Sequence, residues 1–491
     1  MMRIPRTCLP VLLALGGCSG SDAPTVDLGL EARAAWEGVS LPAGMLDAEP
    51  ALDLVVVSID TLRADRLPSY GGAAATTGDA AEPFTLAWLA AQSTVWEQAW
   101  APSGKTLPSL ASFWTGHPPL EHGAVDNRTP VQLPTRIMAL KEAGWSTHAV
   151  VANRTLTPPV RLPRGFDSYA IRARENEPRL AETLLEGTAA PVAAGDRLLA
   201  WAHFMAPHQP YLPKEEHRRA LVSDEALAAL DPTLGEVGGN EMLAALHRDP
   251  ARADATTVAT IRGLYDAEIL TANDYLQDFL SGLDAQYREA GRGGLLDNAV
   301  VVFFSDHGEE LADHQGYFMH AKSLYVGTIH VPLMVAGGGW EAGARIAAPI
   351  ALEDVLAMVL DGERPARELF VATWKDRFYV LRDGPWTLVH NPAGDRMGPV
   401  EPPQDVPFVY PEVSLFHRGD DPFEQRDRAA EEPDRTRAML DAMRAWYLDL
   451  ERLEGEEVAV DEQMMEELGY VGGQVPVGVG VQPWSGKRWK P

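Results

Sequence analysis

Two apolar runs, far apart in the chain and each ending in acid, constrain the fold more than any other feature. Leu52–Ile59 is rich in β-branched residues, lacks regular polar alternation and ends in Asp60-Thr61. Asn298–Phe304 repeats the pattern and ends in Ser305-Asp306-His307-Gly308. Such runs read as strands buried on both faces, as in a parallel sheet. Shorter runs at 147–151, 198–204 and 331–336 predict three more strands. Val258–Leu283 carries Ile261, Leu264, Ile269, Leu276 and Leu280 near helical spacing, and Leu107–Thr115 reads as the first half of a helix. Strands alternating with helices predict a doubly wound, mostly parallel α/β sheet.

The pattern changes beyond about Asp361. Short strands at 369–373, 378–381 and 386–390, then an amphipathic helix at Arg435–Leu450, predict a smaller C-terminal α+β subdomain. The chain therefore divides into a leader (1–18), a tether (19–50), an α/β domain (51–360), the α+β subdomain (361–455) and a tail (456–491).

The leader has its own signature. Arg3 and Arg6 precede the apolar run Leu9–Leu15, followed by Gly16, Gly17 and Cys18. A basic stretch, a short apolar stretch and small residues before a cysteine predict export. Leu15-Gly16-Gly17-Cys18 resembles a bacterial lipobox, which implies a cell-envelope lipoprotein, periplasmic or outer-membrane attached, anchored through acylated Cys18. A plain secretory signal with a chance cysteine is the alternative. The chain's two cysteines, Cys8 and Cys18, both lie in the leader. The mature chain thus has no disulfide, and no thiol to act as nucleophile or ligand.

The formal charge of -28 argues against nucleic acid as a partner, since a polyanion is repelled by such a surface. An anionic substrate would need local attraction, from a metal ion or a few inward cations.

Three distant segments place polar groups at the end of an apolar run or the start of a helix: Asp60-Thr61, Lys105-Thr106-Leu107-Pro108-Ser109, and Asp306-His307. In open α/β sheets the functional groups gather at the carboxyl ends of the strands. Carboxylates and an imidazole are good ligands for divalent ions. A threonine at a helix start beside such an ion can serve as an alkoxide nucleophile, and the helix N-terminus favours an anion there. Singly, each segment has a bland reading: a strand-end turn for Asp60, a helix N-cap for Thr106, a loop for Asp306-His307-Gly308. The conjunction carries the case. Gly104-Lys105-Thr106 imitates the end of a phosphate-binding P-loop, but that motif needs a glycine where this chain has Ala99.

Longer strings sharpen the reading. Val57-Ser58-Ile59-Asp60-Thr61-Leu62-Arg63-Ala64-Asp65-Arg66-Leu67 is one, and Thr106-Leu107-Pro108-Ser109 through Thr115-Gly116 to Glu121-His122-Gly123 is another. Pro207-His208-Gln209-Pro210-Tyr211, Tyr265-Asp266-Ala267-Glu268-Ile269 and Ser305-Asp306-His307-Gly308-Glu309-Glu310 follow, with His320, Ser323-Leu324-Tyr325 and Val331-Pro332-Leu333. Leu415-Phe416, Asp421-Pro422, Glu424-Gln425 and Glu467-Leu468-Gly469-Tyr470-Val471 close the series. In this order they resemble the sulfatase-like branch of the alkaline-phosphatase superfamily, from about Asp53 to Val471.

The resemblance implies an alkaline-phosphatase-like fold and a metal-dependent hydrolase or transferase acting on phosphate-, phosphonate- or sulfate-type esters. It puts Asp60, Asp306 and His307 at the metal-ligand positions. Thr106 falls at the nucleophile position, where its oxygen also meets the metal. His208 and His320 fall where histidines face the substrate's oxygens or the leaving group. His320 is flanked by Met319 and Ala321 where glycines are common. His314, His122, Arg63 and Lys105 are secondary candidates, each as readily structural. One divalent ion is expected, manganese, zinc or calcium. Two-zinc relatives add an Asp and two His ligands, and Ala202–His208 holds histidines but no Asp.

Sulfatases proper use a formylglycine made from Cys or Ser in a Cys/Ser-x-Pro-x-Arg motif. Here Thr106 and Leu110 stand at its first and last positions. Threonine cannot become that aldehyde, because its β-carbon carries a methyl group. The expectation is therefore phosphoryl transfer through Thr106 on a small-molecule, lipid-headgroup or glycan ester. A sulfuric ester hydrolase and a non-catalytic lipoprotein that binds envelope glycans or polymers are the competing readings.

Overall fold

The computed structural model describes residues 26–72, 76–172, 174–314, 318–320, 323–392, 411–453 and 455–458. The leader, Cys18, the motif 467–471 and nearly all of the tail lie outside the described residues.

The main sheet takes its first strands in chain order: β1 (Asp53–Ile59), β2 (Ser93–Trp100), β3 (Ser146–Val151), β4 (Ser168–Ile171), β5 (Leu198–Phe204) and β6 (Ala299–Ser305). A short ribbon of β7 (Glu310–Leu311) and β8 (Phe318–Met319) follows, then β9 (His330–Ala336), β10 (Arg345–Ile346) and β11 (Ile350–Ala351). The order across the sheet is β10-β2-β9-β6-β1-β5-β3-β4, with β11 also on β2. Only β9 runs against the rest. The sheet is thus mostly parallel, as its apolar runs predict.

The lack of polar alternation in β1 has a direct cause. Leu54 and Val56 enter the core on one face of the sheet, and Val55, Val57 and Ile59 enter the core on the other. β6 splits in the same way, with Val300, Val302 and Phe304 opposite Val301 and Phe303. Both faces are covered, so neither parity of the strand faces solvent.

The predicted helix after Thr106 spans Thr106–Thr115, and every residue of it is buried. Pro108 sits in its first turn, where the missing N–H would have had no helical partner. Gly116, at φ 78°, ends it in the left-handed region that glycine tolerates best. Phe113 stacks on Phe304 of β6 at 4.3 Å, and Trp114 packs edge-on to Trp201 of β5 at 5.4 Å. Buried aromatic side chains of this size contribute about 1.5–3 kcal/mol each. Phe113→Ala would cost about 3–5 kcal/mol and loosen the helix start.

The smaller C-terminal subdomain is an antiparallel sheet of β12 (Phe370–Trp374), β13 (Phe378–Asp383), β14 (Trp386–His390) and β15 (Val413–His417). Helix Pro433–Asp449 packs Met439, Met443 and Tyr447 against it.

One expectation is corrected. Residues 26–50 are folded and do not act as a free tether. Helix Leu30–Ala35 leads into Trp36 and Met45, both buried in the main core. The Trp36 indole donates to Pro349 O at 3.1 Å, and Gly29 N donates to Asp383 Oδ1 at 2.7 Å. Apolar anchors inside a polar stretch make this segment part of the domain. The stretches 175–196 and 215–253 are largely helical. Leu180, Leu184, Thr188 and Val192 bury one face of helix Leu180–Ala194 at helical spacing. Helices Glu215–Leu221, Asp224–Ala228 and Asn240–Arg248 fill the second stretch.

Candidate active site

Register decides which groups meet. Ile59 pairs with Ser305 across β1 and β6, and with Phe204 across β1 and β5. The next residues, Asp60 and Asp306, therefore emerge side by side at the carboxyl edge of the sheet. His307 follows, and all three are fully buried. Their ligand atoms lie within 4.8 Å of one another. His307 Nδ1 lies 2.9 Å from Gly308 O. A carbonyl can only accept, so Nδ1 carries the hydrogen and Nε2 presents a lone pair. That lone pair lies 3.7 Å from Asp60 Oδ1 and 3.5 Å from Asp306 Oδ2.

Thr106 is the first residue of its helix, not its N-cap, which is Lys105. Its hydroxyl makes no cap; Oγ1 lies 3.4 Å from Asp60 Oδ2 and 3.5 Å from His307 Nε2. The structure thus brings Asp60, Thr106, Asp306 and His307 into one cluster.

The electrostatics fit a cation. Burial and the Asp60 charge push the Asp306 carboxyl far above the usual range. Burial acts on Asp60 in the same direction, but the approach of His203 and the nearby His208 and His307 hold it below. Asp60 Oδ1 and both Asp306 oxygens have no hydrogen-bond partner among the described residues. Buried carboxylate oxygens are costly without a partner, and a divalent ion would satisfy these three while removing the mutual repulsion. Two carboxylates, an imidazole lone pair and a hydroxyl are a donor set that suits manganese or zinc.

The two further histidines face the same space. His208 sits beside His320 at 4.8 Å between ring centres, and His320 beside His307 at 4.7 Å. His208 Nδ1 donates to Gln209 O at 2.6 Å, and burial pulls its pKa down to about 4. His320 Nδ1 lies 3.1 Å from Glu309 Oε1.

Three groups at the site escape a reading of the sequence. Asn153, just past β3, donates to Asp60 Oδ2 at 2.7 Å and to Thr106 Oγ1 at 3.2 Å. Glu309 meets His320. His203, inside β5, lies 3.4 Å from Asp60 Oδ2. A polar residue inside an apolar strand is the one signal that could have singled out His203.

The secondary candidates resolve differently. Arg63 braces the site from behind, donating to both oxygens of Asp65 at 2.8 Å and to Glu309 O at 3.0 Å. It also pairs with Asp313. Lys105 pairs with Asp126 at 2.8 Å, and Asp126 pairs with Lys375 of the C-terminal subdomain at 2.6 Å. His122 meets Ser112 Oγ at 3.0 Å and accepts from Ala124 N at 3.1 Å, beneath the helix. His314 binds Glu310 and Glu424 O, away from the cluster.

The helix motif around Tyr265 also finds its place. Tyr265 OH accepts from Arg63 N at 2.9 Å and donates to Thr61 O at 2.6 Å. Thr61 has φ 56°, an uncommon conformation for a β-branched residue. Helix Ala255–Glu289 thus clamps the strained turn that aims Asp60.

The sequence model of the sulfatase family matches residues 53–361. Arylsulfatase K of Danio rerio is 31% identical over 104 residues, which is 21% of this chain and 18% of that protein. This chain therefore spans less than a fifth of that relative's length in the matched stretch. Among solved structures, a phosphonate monoester hydrolase from Silicibacter pomeroyi superposes with a TM-score of 0.57 at 18% identity, covering 81% of this chain and 94% of that one. A 2-O GAG sulfatase superposes with a TM-score of 0.55 at 16% identity, covering 84% and 96%. At these identities the superpositions speak to fold.

Proposed function

The chain belongs to the sulfatase family, and from that premise we propose that it is a metal-dependent hydrolase of phosphate-, phosphonate- or sulfate-type esters, with Thr106 as nucleophile and phosphoryl substrates favoured. The observation that carries this reading is Thr106 Oγ1, at a helix N-terminus and within 3.5 Å of both Asp60 and His307. Asp60, Asp306 and His307 would hold one divalent ion, with Thr106 Oγ1 beside it. Such an ion supplies a Lewis acid that lowers the pKa of the hydroxyl and offsets the charge of an anionic ester.

The residues then divide the work. Thr106 Oγ1 forms a bond to phosphorus as the bond to the ester oxygen breaks, leaving a phosphothreonine. The Thr106 hydroxyl proton passes to a neutral imidazole of the His208 and His320 pair, which hands it to the departing ester oxygen. Water then attacks phosphorus as the bond to Thr106 Oγ1 breaks; its proton passes through the imidazole to Oγ1, which regenerates the hydroxyl and releases the phosphoryl product. His208 suits the accepting role, because its Nδ1 is committed to Gln209 O and burial keeps it neutral. Asn153 holds Asp60 Oδ2 and the threonine oxygen in register.

A sulfate ester remains the second reading, favoured by the sulfatases among the superposed structures. The test is a panel of nitrophenyl phosphodiester, phosphonate monoester, phosphomonoester and sulfate ester, with metal-stripped and reloaded protein. Phosphodiester or phosphonate cleavage that needs metal, and falls by at least about 10³-fold in Thr106→Ala, supports the proposal. Dominant sulfate cleavage replaces it with the second reading. Full activity in Thr106→Ala overturns the mechanism. Export as a lipoprotein on Cys18 belongs to the same proposal, resting on the leader alone. Mass spectrometry of the mature N-terminus in a bacterial host, acylated or not, decides it.

A further inference from the structure

Behind the site, three side chains from two neighbouring strands form a buried chain that the scheme above does not use. Trp201 Nε1 donates to Ser58 Oγ at 2.9 Å, and Ser58 Oγ lies 2.8 Å from His203 Nδ1. His203 Nε2 in turn lies 3.4 Å from Asp60 Oδ2. Ser58 and His203 are register partners across β1 and β5, and all four side chains are fully buried. Burying a hydroxyl and an imidazole between two apolar cores costs stability unless each is satisfied. His203 Nε2 has no full hydrogen bond among the described residues, although it aims at the carboxylate.

The two oxygens of Asp60 are not equivalent. Oδ2 accepts from Asn153 at 2.7 Å and faces His203, while Oδ1 has no hydrogen-bond partner among the described residues. Ser58 Oγ accepts the indole hydrogen and has one of its own to give. Given to His203 Nδ1, that hydrogen leaves the imidazole N–H on Nε2, toward Oδ2. His203 is not part of the group formed by the Asp60, Asp306 and His307 ligand atoms, and its Nε2 faces Asp60 Oδ2.

We propose that His203 is a positioning residue that donates from Nε2 to Asp60 Oδ2, so that Oδ1 alone meets the metal, and that Trp201 and Ser58 fix its tautomer. The inference rests on the metal-dependent reading above and adds a determinant of metal affinity to it. Partners that hold a ligating carboxylate typically change metal affinity by about 10–100-fold.

The test is Mn²⁺ binding to the chelator-treated full chain, followed by the electron paramagnetic resonance of free Mn²⁺, with metal-free melting curves as the folding control. His203→Ala should weaken binding by about 10–100-fold. His203→Gln, which restores an N–H near the same place, should recover part of the loss, and Ser58→Ala should show a smaller one. A folded His203→Ala with the affinity of the parent overturns the proposal. If that variant does not fold, unchanged affinity in both Ser58→Ala and His203→Gln overturns it. A parent chain that binds no Mn²⁺ sinks this inference together with the metal-dependent reading. Weakened Mn²⁺ binding in His203→Ala, in a protein that cleaves no ester, supports the inference and removes the hydrolase reading.

Discussion

Asp60 and Asp306 leave neighbouring parallel strands one residue beyond the paired Ile59 and Ser305, so two carboxylates share a fully buried space. Like charges held this way oppose each other, and burial strengthens the effect. Asp306→Asn should therefore act with opposite signs on metal-free and metal-loaded protein. Without metal the variant should melt at or above the parent, because an amide avoids the cost of burying an ionisable carboxyl beside Asp60. With saturating Mn²⁺ or Zn²⁺ only the parent should gain stability, by about 3 kcal/mol at a hundredfold excess over Kd. Calorimetric melts of both proteins, with chelator and with metal, check this. A metal-free variant far less stable than the parent would mean that Asp306 is a structural partner instead.

Much of the cluster was legible because strand ends print their contents next to the apolar run. Asp60 and Asp306-His307 follow β1 and β6 immediately, and Thr106 opens a helix. Asn153 was not legible. It also follows a strand, but nothing in Ala152-Asn153 distinguishes it from a turn residue, and its role depends on β3 lying two strands from β1. His203 was hidden by its setting, since a lone histidine in an apolar strand reads as core. The folding of residues 26–50 was missed because its contacts are remote, as in Gly29 with Asp383. Glu309 was quoted within a motif, yet its use depends on where the chain returns with His320.

Glu309 and His320 give a second prediction. Glu309 Oε1 meets His320 Nδ1 at 3.1 Å, a contact that orients the ring. Glu309→Leu removes this contact and weakens the hold on the ring. Its kcat should fall by about 10-fold or more, with KM little changed and the loss greatest for poor leaving groups. Glu309→Gln, which can still pair with Nδ1, should retain most of the activity. Equal losses in both variants across all leaving groups would show that the carboxylate does not act through His320.

A third prediction concerns the seam between the two sheets. Glu424 accepts from Val326 N at 2.8 Å and from Thr387 at 2.6 Å, and pairs with Arg382 at 2.9 Å. Arg382 is buried, with its guanidinium 4.2 Å from the Trp100 ring. Glu424→Ala would strand that guanidinium in the core and should cost about 3–5 kcal/mol in urea unfolding. Replacing both, as Arg382→Met with Glu424→Gln, should recover most of the loss, since an apolar isostere does not need the partner. A double variant as unstable as the single one would place the energy elsewhere, in the Glu424 contact with Val326.

The stability of the chain should also depend on pH through His314. This ring stacks on Tyr325 at 3.6 Å, with Nδ1 3.1 Å from Glu310 and Nε2 3.1 Å from Glu424 O. Burial works against the charged form, but Glu310 and the Glu424 carbonyl outweigh it and raise the pKa to about 9. A histidine whose folded pKa is raised stabilises the fold fully below its unfolded value of about 6.5, and that contribution is lost as pH climbs through the folded value. The window is thus pH 6.5 to about 9, and the contribution is on the order of 3 kcal/mol. Other groups titrate near the upper end, so the useful quantity is the difference between the parent and His314→Gln. Urea unfolding should show the parent more stable at pH 6, with the gap closing by pH 9.5. A gap that stays constant across the window would mean that His314 holds the Glu310 loop as a neutral ring, through its stack on Tyr325 alone.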